Sequence, residues 1–448
     1  MRDLFLMAVY GAFFFAGFNA SFVLALGYVW VDLFTPQYVG FSYMQAIPLS
    51  LIMGATSFIA VAFTEKHDNP RMVGGIWLLG VFAIWITLTT LWAELPEAAW
   101  VGWDTAFKTI AFATVLPFLI KSRTHVEALL LIIAFSVLGN TLTGAVKVLV
   151  TGGGYGMDLG LFRGGSGLVE GSTLATVAVS VVPILLHFRK HSRIFPKGLI
   201  TDGIFYTAVF ANVICAIGTY ARAGLLSIGV LICLILWHSK RKVLTGCFVA
   251  AAVFATSSYF VSDAYKARMS TVASYQDEGS AMTRVAVWLW TIDYASTHPW
   301  GGGFDVWKIN SGTFTLSGER EGDPFANQTT DVNFRGRAFH SIYFEVLGSH
   351  GIPGLALFVA IILTFFGYIR RIKRIARGNR ELAWATDFAT SLQMSLIVYL
   401  CGGAFVGIAF QPYFYQLYIC AIALSEYLFR MTAPERQNAF RAASYGTA

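Results

Sequence analysis

The sequence predicts an all-α polytopic membrane protein of about twelve transmembrane helices with one long extramembrane segment. Three observations predict it. Hydrophobic residues make up 56% of the 448-residue chain and charged residues only 13%, about half the charge of a soluble domain. Apolar runs of about 17–25 residues recur along the chain. Lys and Arg gather in alternate connections, as they do where loops face the cytoplasm.

Taken in order, the apolar runs place spans near 4–34, 42–63, 72–93, 105–120, 126–150, 171–188, 201–219, 223–238, 243–261, 352–369, 385–407 and 412–429. The first exceeds one straight span, and Gly17–Asn19 offers a break into two short helices. Pro48, Pro117 and Pro183 fall inside runs, which membrane helices tolerate. The chain therefore divides into N-terminal transmembrane helices (1–261), an extramembrane segment with short helices (262–351), C-terminal transmembrane helices (352–429) and a tail (430–448).

The basic connections fix the expected sides. Arg2, the turns at 64–71, 121–125, 189–200 and 238–242, the segment 370–384 and the tail hold 21 of the 32 Lys and Arg residues. They form the cytoplasmic side, with both termini there. The other side receives 35–41, 94–104, 151–170, the tight turn at 220–222, the segment 262–351 and 408–411. Residues 262–339 carry seven Lys/Arg and nine Asp/Glu. The formal charge of +7 therefore reflects cytoplasmic loops, not a nucleic-acid surface. Trp288, Trp290, Trp300 and Trp307 suggest a small packed domain in this segment. A helix is expected over 282–297, stopped by His298–Pro299, followed by a Gly-, Asp-, Thr- and Asn-rich flap over 301–338.

The five cysteines (Cys215, Cys233, Cys247, Cys401, Cys420) lie in or beside apolar spans, so neither a disulfide nor a zinc site is expected. No small-residue cleavage site follows the first apolar run, so no cleaved signal peptide is expected. Nucleotide-loop, H-E-x-x-H, C-x-x-C, G-x-S-x-G and D-x-D patterns are all missing from the sequence. A reaction on the outer side, without ATP or nucleotide sugars, needs an activated donor delivered in the membrane.

Sidedness sorts the polar residues. Of eight histidines, only His298, His340 and His350 face out. His298 reads as a helix stop and His350 as a turn, which leaves His340 as the base candidate. Arg335 and Arg337 precede it where polar chain re-enters an apolar span, and guanidinium forks match phosphate oxygens. Arg222, in TYARAGLL, sits at the outer boundary, where a charge calls for a cavity and a partner. Arg284 opens the 282–297 helix. Arg163, among glycines in the 151–170 loop, is a further anion donor. Glu345, one turn past His340, could orient the imidazole or be a satisfied polar residue of the bundle. The plain alternatives are a solvated loop end at 335–340 and snorkelling at Arg222.

Together these segments resemble the superfamily of O-antigen ligases and polymerases. The resemblance is carried by GTYARAGLL, by TRVAVWLWTIDYASTHPWGGGF, by HSIYFEVLGSHGIPGLALF, and by the long outer segment before the last three spans. MRDL, WAELPEAAWVGWD and the R-x-x-T at 268–271 look most like the branch found beside exosortase systems. The resemblance implies a GT-C-type fold in the bacterial inner membrane with a periplasmic active site, and no metal or other cofactor. It implies an undecaprenyl-diphosphate-linked glycan as donor and a lipid A–core hydroxyl as acceptor. A glycan polymerase, a protein O-oligosaccharyltransferase and a lipid or glycan transporter are the other readings. Arg222 and Arg284 match the family's two arginines and His340 its histidine, with Arg163, Arg335, Arg337, Trp300 and Glu345 as further substrate contacts. Ala221–Arg222–Ala223 replaces the usual Ser-Arg-Gly, Ser349 stands where an acid is usual, and GLVEGST replaces an Asn-rich stretch at 167–173.

Overall fold

The computed structural model describes residues 1–40, 43–63, 74–154, 156–161, 168–247, 250–251, 275–316 and 330–432. Arg163, most of the span expected at 243–261, residues 262–274 and the tail from Ala433 lie outside the described residues.

The first apolar run is two helices, α1 (Arg2–Asn19) and α2 (Ser21–Phe34), separated by the extended Ala20. They fold back on each other because small residues meet large ones across the pair: Gly17 faces Leu24, and Gly27 faces Phe13. Phe13 also lies 5.7 Å from Trp30. Gly40 packs beside Asp3, whereas Phe22, just past the turn, stacks at 3.8 Å on His125. Arg2 is therefore at the end of the bundle that holds Gly40, not the end that holds the 121–125 turn. This corrects the expected side of the N-terminus.

One helical turn, α3 (Pro36–Val39), leads to α4 (Leu49–Phe63) and α5 (Gly74–Leu91). The next helix, α6 (Pro96–Ala113), starts earlier than the expected span at 105, with proline and Glu97 in its first turn, both favourable at a helix start. Then follow α7 (Leu116–Leu119), α8 (Arg123–Thr151), α9 (Gly171–His191), α10 (Leu199–Gly218) and α11 (Arg222–His238). The outer segment contributes α12 (Tyr275–Thr297), which stops at His298 as expected. The bundle closes with α13 (Ile342–Ala376), α14 (Ala383–Gly403) and α15 (Pro412–Thr432). Among the described residues, α5, α8, α9, α10 and α13 are long and apolar enough to cross a membrane, and α2, α4 and α11 are shorter apolar helices. The chain is an all-α membrane protein in its bulk. Residues Pro412 to Glu426 of α15 are all buried, which puts that helix at the centre, apolar all round.

The segment expected as a flap contains a sheet. Strands β1 (Ser311–Leu316) and β2 (Thr330–Arg335) pair antiparallel, with Ser311 opposite Arg335. Phe334 packs with Ala286, Val287, Tyr294, Val306 and Phe339 in a small core of its own against α12.

The connections divide between two ends. At one end, Glu94 N–H donates to Gly302 O (2.9 Å) and Gly154 N–H to Gly218 O (3.0 Å). At the opposite end, Arg123 donates to His191 O (3.1 Å), and Lys190 pairs with Asp387 (2.6 Å). His340 lies at the first end, where α13 bends at Gly351 (φ 66°). There Gly302 and Gly303 donate to the carbonyls of Gly348 (3.1 Å) and Ser349 (2.8 Å), and Ile352 donates to Pro299 O (2.9 Å). A Cβ at Gly301 or Gly351 would drive into the other strand of chain, so this close approach requires glycine.

Candidate functional site

His340 is placed from both sides. On its N-terminal side, Asn310 clamps the chain: its side-chain amide donates to Arg337 O (2.6 Å), and its carbonyl oxygen accepts from Arg337 N–H (2.9 Å). The neighbouring Gly336 N–H reaches Asn310 O (2.8 Å). Next, the indole of Trp288 on α12 donates to Phe339 O (2.8 Å) and stacks on Phe344 with ring centres 5.0 Å apart. Arg284 lies one helical turn before Trp288, so the bond that anchors residue 339 also brings Arg284 to the histidine. On its C-terminal side, Ser341 starts α13. His340 itself is held at φ 47°, a left-handed conformation that is uncommon outside glycine and concentrates at functional sites.

The charges around the imidazole follow. Burial is the largest influence and pushes the His340 pKa below its ordinary value; Arg284 lowers it further, Glu170 acts in the opposite sense, and Arg337 adds to the lowering. The ring is thereby biased toward the neutral, proton-accepting form. Arg284, Arg337 and Glu170 are thus one electrostatic group with His340.

Sequence reasoning missed Glu170. It precedes the first residue of α9, is exposed, and accepts a hydrogen bond from the Thr173 hydroxyl (2.8 Å). Gly171 beside it packs on Thr219, three residues before Arg222. The signal was present: GLVEGST places an acid just ahead of an apolar run on the outer side. Sorting by side, applied to histidines, picks it out equally well when applied to acids.

Arg222 is the first residue of α11 and is exposed. The turn before it contains Tyr220 at φ 54°, whose hydroxyl donates to Gly152 O (3.0 Å). At the end of α14, Gly402 packs on Ser227 of α11, and Gly403 on Ile342 of α13. Two adjacent glycines thus draw the Arg222 helix and the His340 helix onto one helix end.

The remaining expected residues sit apart. Arg335 is exposed at the base of the hairpin. Trp300 is 59% exposed, with its ring 6.0 Å from Trp85. Glu345 accepts from Ala409 N–H (2.9 Å), so its carboxylate ties down the 404–411 loop. His298 stacks on Tyr294 (4.3 Å) and approaches Glu94 (3.9 Å). His350 is buried with Nδ1 at 2.7 Å from Thr89 Oγ1, a packing role. Arg163 lies outside the described residues.

Residues 207–359 match the family described as O-Antigen ligase, and residues 1–193 match a family of unknown function, DUF5935. Residues 207–359 belong to the O-antigen ligase family. That match supports the superfamily of O-antigen ligases and polymerases, whose members are glycosyltransferase-like. This ligase-family segment contains Arg222, Arg284, Arg337 and His340, whereas Glu170 comes from the N-terminal match. No curated protein matches the chain.

Proposed function

We propose that the protein is an O-antigen ligase of the bacterial inner membrane that works at its periplasmic face without a metal. It transfers glycan from undecaprenyl diphosphate to a lipid A–core hydroxyl. The observation that supports this reading is a ligase-family segment at one end of an apolar bundle, in which the Asn310 and Trp288 bonds hold His340 in a left-handed backbone conformation within electrostatic reach of Arg284 and Arg337. His340 removes the proton from the acceptor hydroxyl. The hydroxyl oxygen forms the new bond to the anomeric carbon from the side opposite the leaving group, which inverts the configuration. The bond from that carbon to the diphosphate oxygen breaks, and its electron pair leaves with the lipid diphosphate. Arg222 and Arg284 hold the departing diphosphate, with Arg337 as a further cation beside His340. Their bonds strengthen as negative charge develops, which lowers the barrier. Trp300 offers a sugar-stacking face.

The test is transfer by the purified protein from a lipid-linked glycan, with core lipid, a second lipid-linked glycan and a Ser/Thr peptide offered together. The expected product is labelled core lipid, lost by about 10²–10⁴-fold in His340→Ala. Label on the second glycan would identify a polymerase, and label on the peptide a protein glycosyltransferase. Undiminished transfer by His340→Ala would remove the base.

A further inference from the structure

A polar cavity of about 260 Å³ opens at the same end of the bundle as His340, between the Thr35–Tyr38 turn, the middle of α6 and the Phe410–Pro412 turn. Its wall includes Asp32, Thr35, Gln37, Lys108 and Phe410. Asp32 is a carboxylate within an apolar bundle, a costly placement that marks function more often than packing. It accepts from the Thr109 hydroxyl (3.1 Å), the Gln416 amide (3.2 Å) and the Tyr28 hydroxyl, which still leaves acceptor capacity, since a carboxylate offers about four lone pairs. Thr35 Oγ1 and Gln37 Oε1 are shielded from solvent and have no hydrogen-bond partner among the described residues. Thr35 is also held at φ 45°. Orphaned polar atoms and a strained residue in one wall are costs that a ligand can offset.

The wall selects the ligand chemistry. Lys108 donates from a position 2.6 Å from Asp104, while Asp32 and Gln37 accept. A phosphate could accept from Lys108, but it has no proton for Asp32 or Gln37 and meets two carboxylates. An ammonium could donate to those acceptors but meets the Lys108 charge. A hydroxyl both donates and accepts, and several hydroxyls on one small ring match a wall with both kinds of group. Phe410 adds an apolar face of the kind that sugar rings stack against.

We propose that this cavity binds one neutral sugar ring of the transferred glycan or its acceptor, separate from the diphosphate grip at Arg222 and Arg284. The assignment of that ring to a substrate rests on the glycosyl-transfer reading; the chemistry of recognition does not. The two sites share the 404–411 loop: Phe410 lines the cavity, and the preceding Ala409 is tied to Glu345, five residues past His340.

The experiment uses the full chain in nanodiscs free of glycolipid and detergent sugar. Saturation-transfer NMR is run with free glucose, galactose, rhamnose, N-acetylglucosamine and N-acetylgalactosamine. At least one sugar should bind saturably. Gln37→Leu and Thr35→Val should each weaken that sugar about tenfold, the equivalent of one lost hydrogen bond. His340→Ala should leave it unchanged. Asp32→Asn is the obvious variant, but it disturbs the bridge to Thr109 and Gln416. Gln37→Leu removes an orphaned acceptor together with the side-chain NH2 group, and an unchanged melting temperature certifies its fold. Failure of every sugar to bind, binding indifferent to both substitutions, or binding lost in His340→Ala would overturn the proposal. Sugar binding that persists in a protein without transferase activity would overturn the function and leave the site. Transfer without sugar binding would do the reverse.

Discussion

His340 occupies a backbone conformation that costs a non-glycine residue about 1–3 kcal/mol, and the Asn310 clamp and the Trp288 bond hold it there. Arg284 reaches the same place because it sits one turn from Trp288. Planar guanidinium bonds to a diphosphate are bidentate, and lysine cannot copy that geometry. Arg284→Lys should therefore lower kcat/KM for the lipid-linked donor by about 10–100-fold, the equivalent of one charge-assisted bond. Kinetics against donor concentration check this, and an unchanged kcat/KM would detach Arg284 from the donor. At this scale sidedness singles out His340 among the histidines, and the structure sets it in one electrostatic group with Arg284, Arg337 and Glu170. The role of Glu345 is not legible in the sequence, because helical spacing says which residues share a face but not which neighbour a carboxylate turns to. The carboxylate turns to the Ala409 amide.

At the scale of elements, the site depends on a bend. The helix Ile342–Ala376 changes direction at Gly351, under the carbonyl of Pro299 and against Gly301. Gly351→Ala should destabilise the protein by at least ~1–3 kcal/mol, because a Cβ meets both a left-handed backbone and the Pro299 carbonyl. Thermal unfolding in nanodiscs checks it; an unshifted melting temperature would mean that the bend is soft. Hydropathy made most helices legible, since apolar runs of spanning length have few other uses. The hairpin Ser311–Leu316/Thr330–Arg335 was hidden by its polar composition, although Phe334 closes a small core. The helix Pro96–Ala113 extends ahead of the apolar run that begins at 105, because Pro96 and Glu97 favour a helix start.

At the scale of the whole molecule, the connections divide between two ends of the bundle, with Arg123, Lys190 and Asp387 at one and His340 at the other. The chain reverses at Ala20 between two helices, which sets Arg2 at the end of the bundle that holds Gly40. In a cysteine-free background, Arg2→Cys and Gln37→Cys should react with an impermeant maleimide from one side and Lys121→Cys from the other. Labelling of Arg2→Cys together with Lys121→Cys would refute the reversal at Ala20. In the proposed reaction His340 is a base whose proton affinity is shifted by burial and by Arg284, Glu170 and Arg337, groups drawn from separate parts of the chain. With a lowered pKa the imidazole stays neutral, and transfer persists, to a more acidic pH than an ordinary histidine allows. Removing the positive charge in Arg337→Gln raises that pKa, and removing the negative charge in Glu170→Gln lowers it further. The most direct measurement is the pH dependence of kcat/KM for transfer by the wild type and these two variants. The acid limb should move to higher pH in Arg337→Gln and to lower pH in Glu170→Gln, whereas limbs that stay together or move in the same direction would contradict the account.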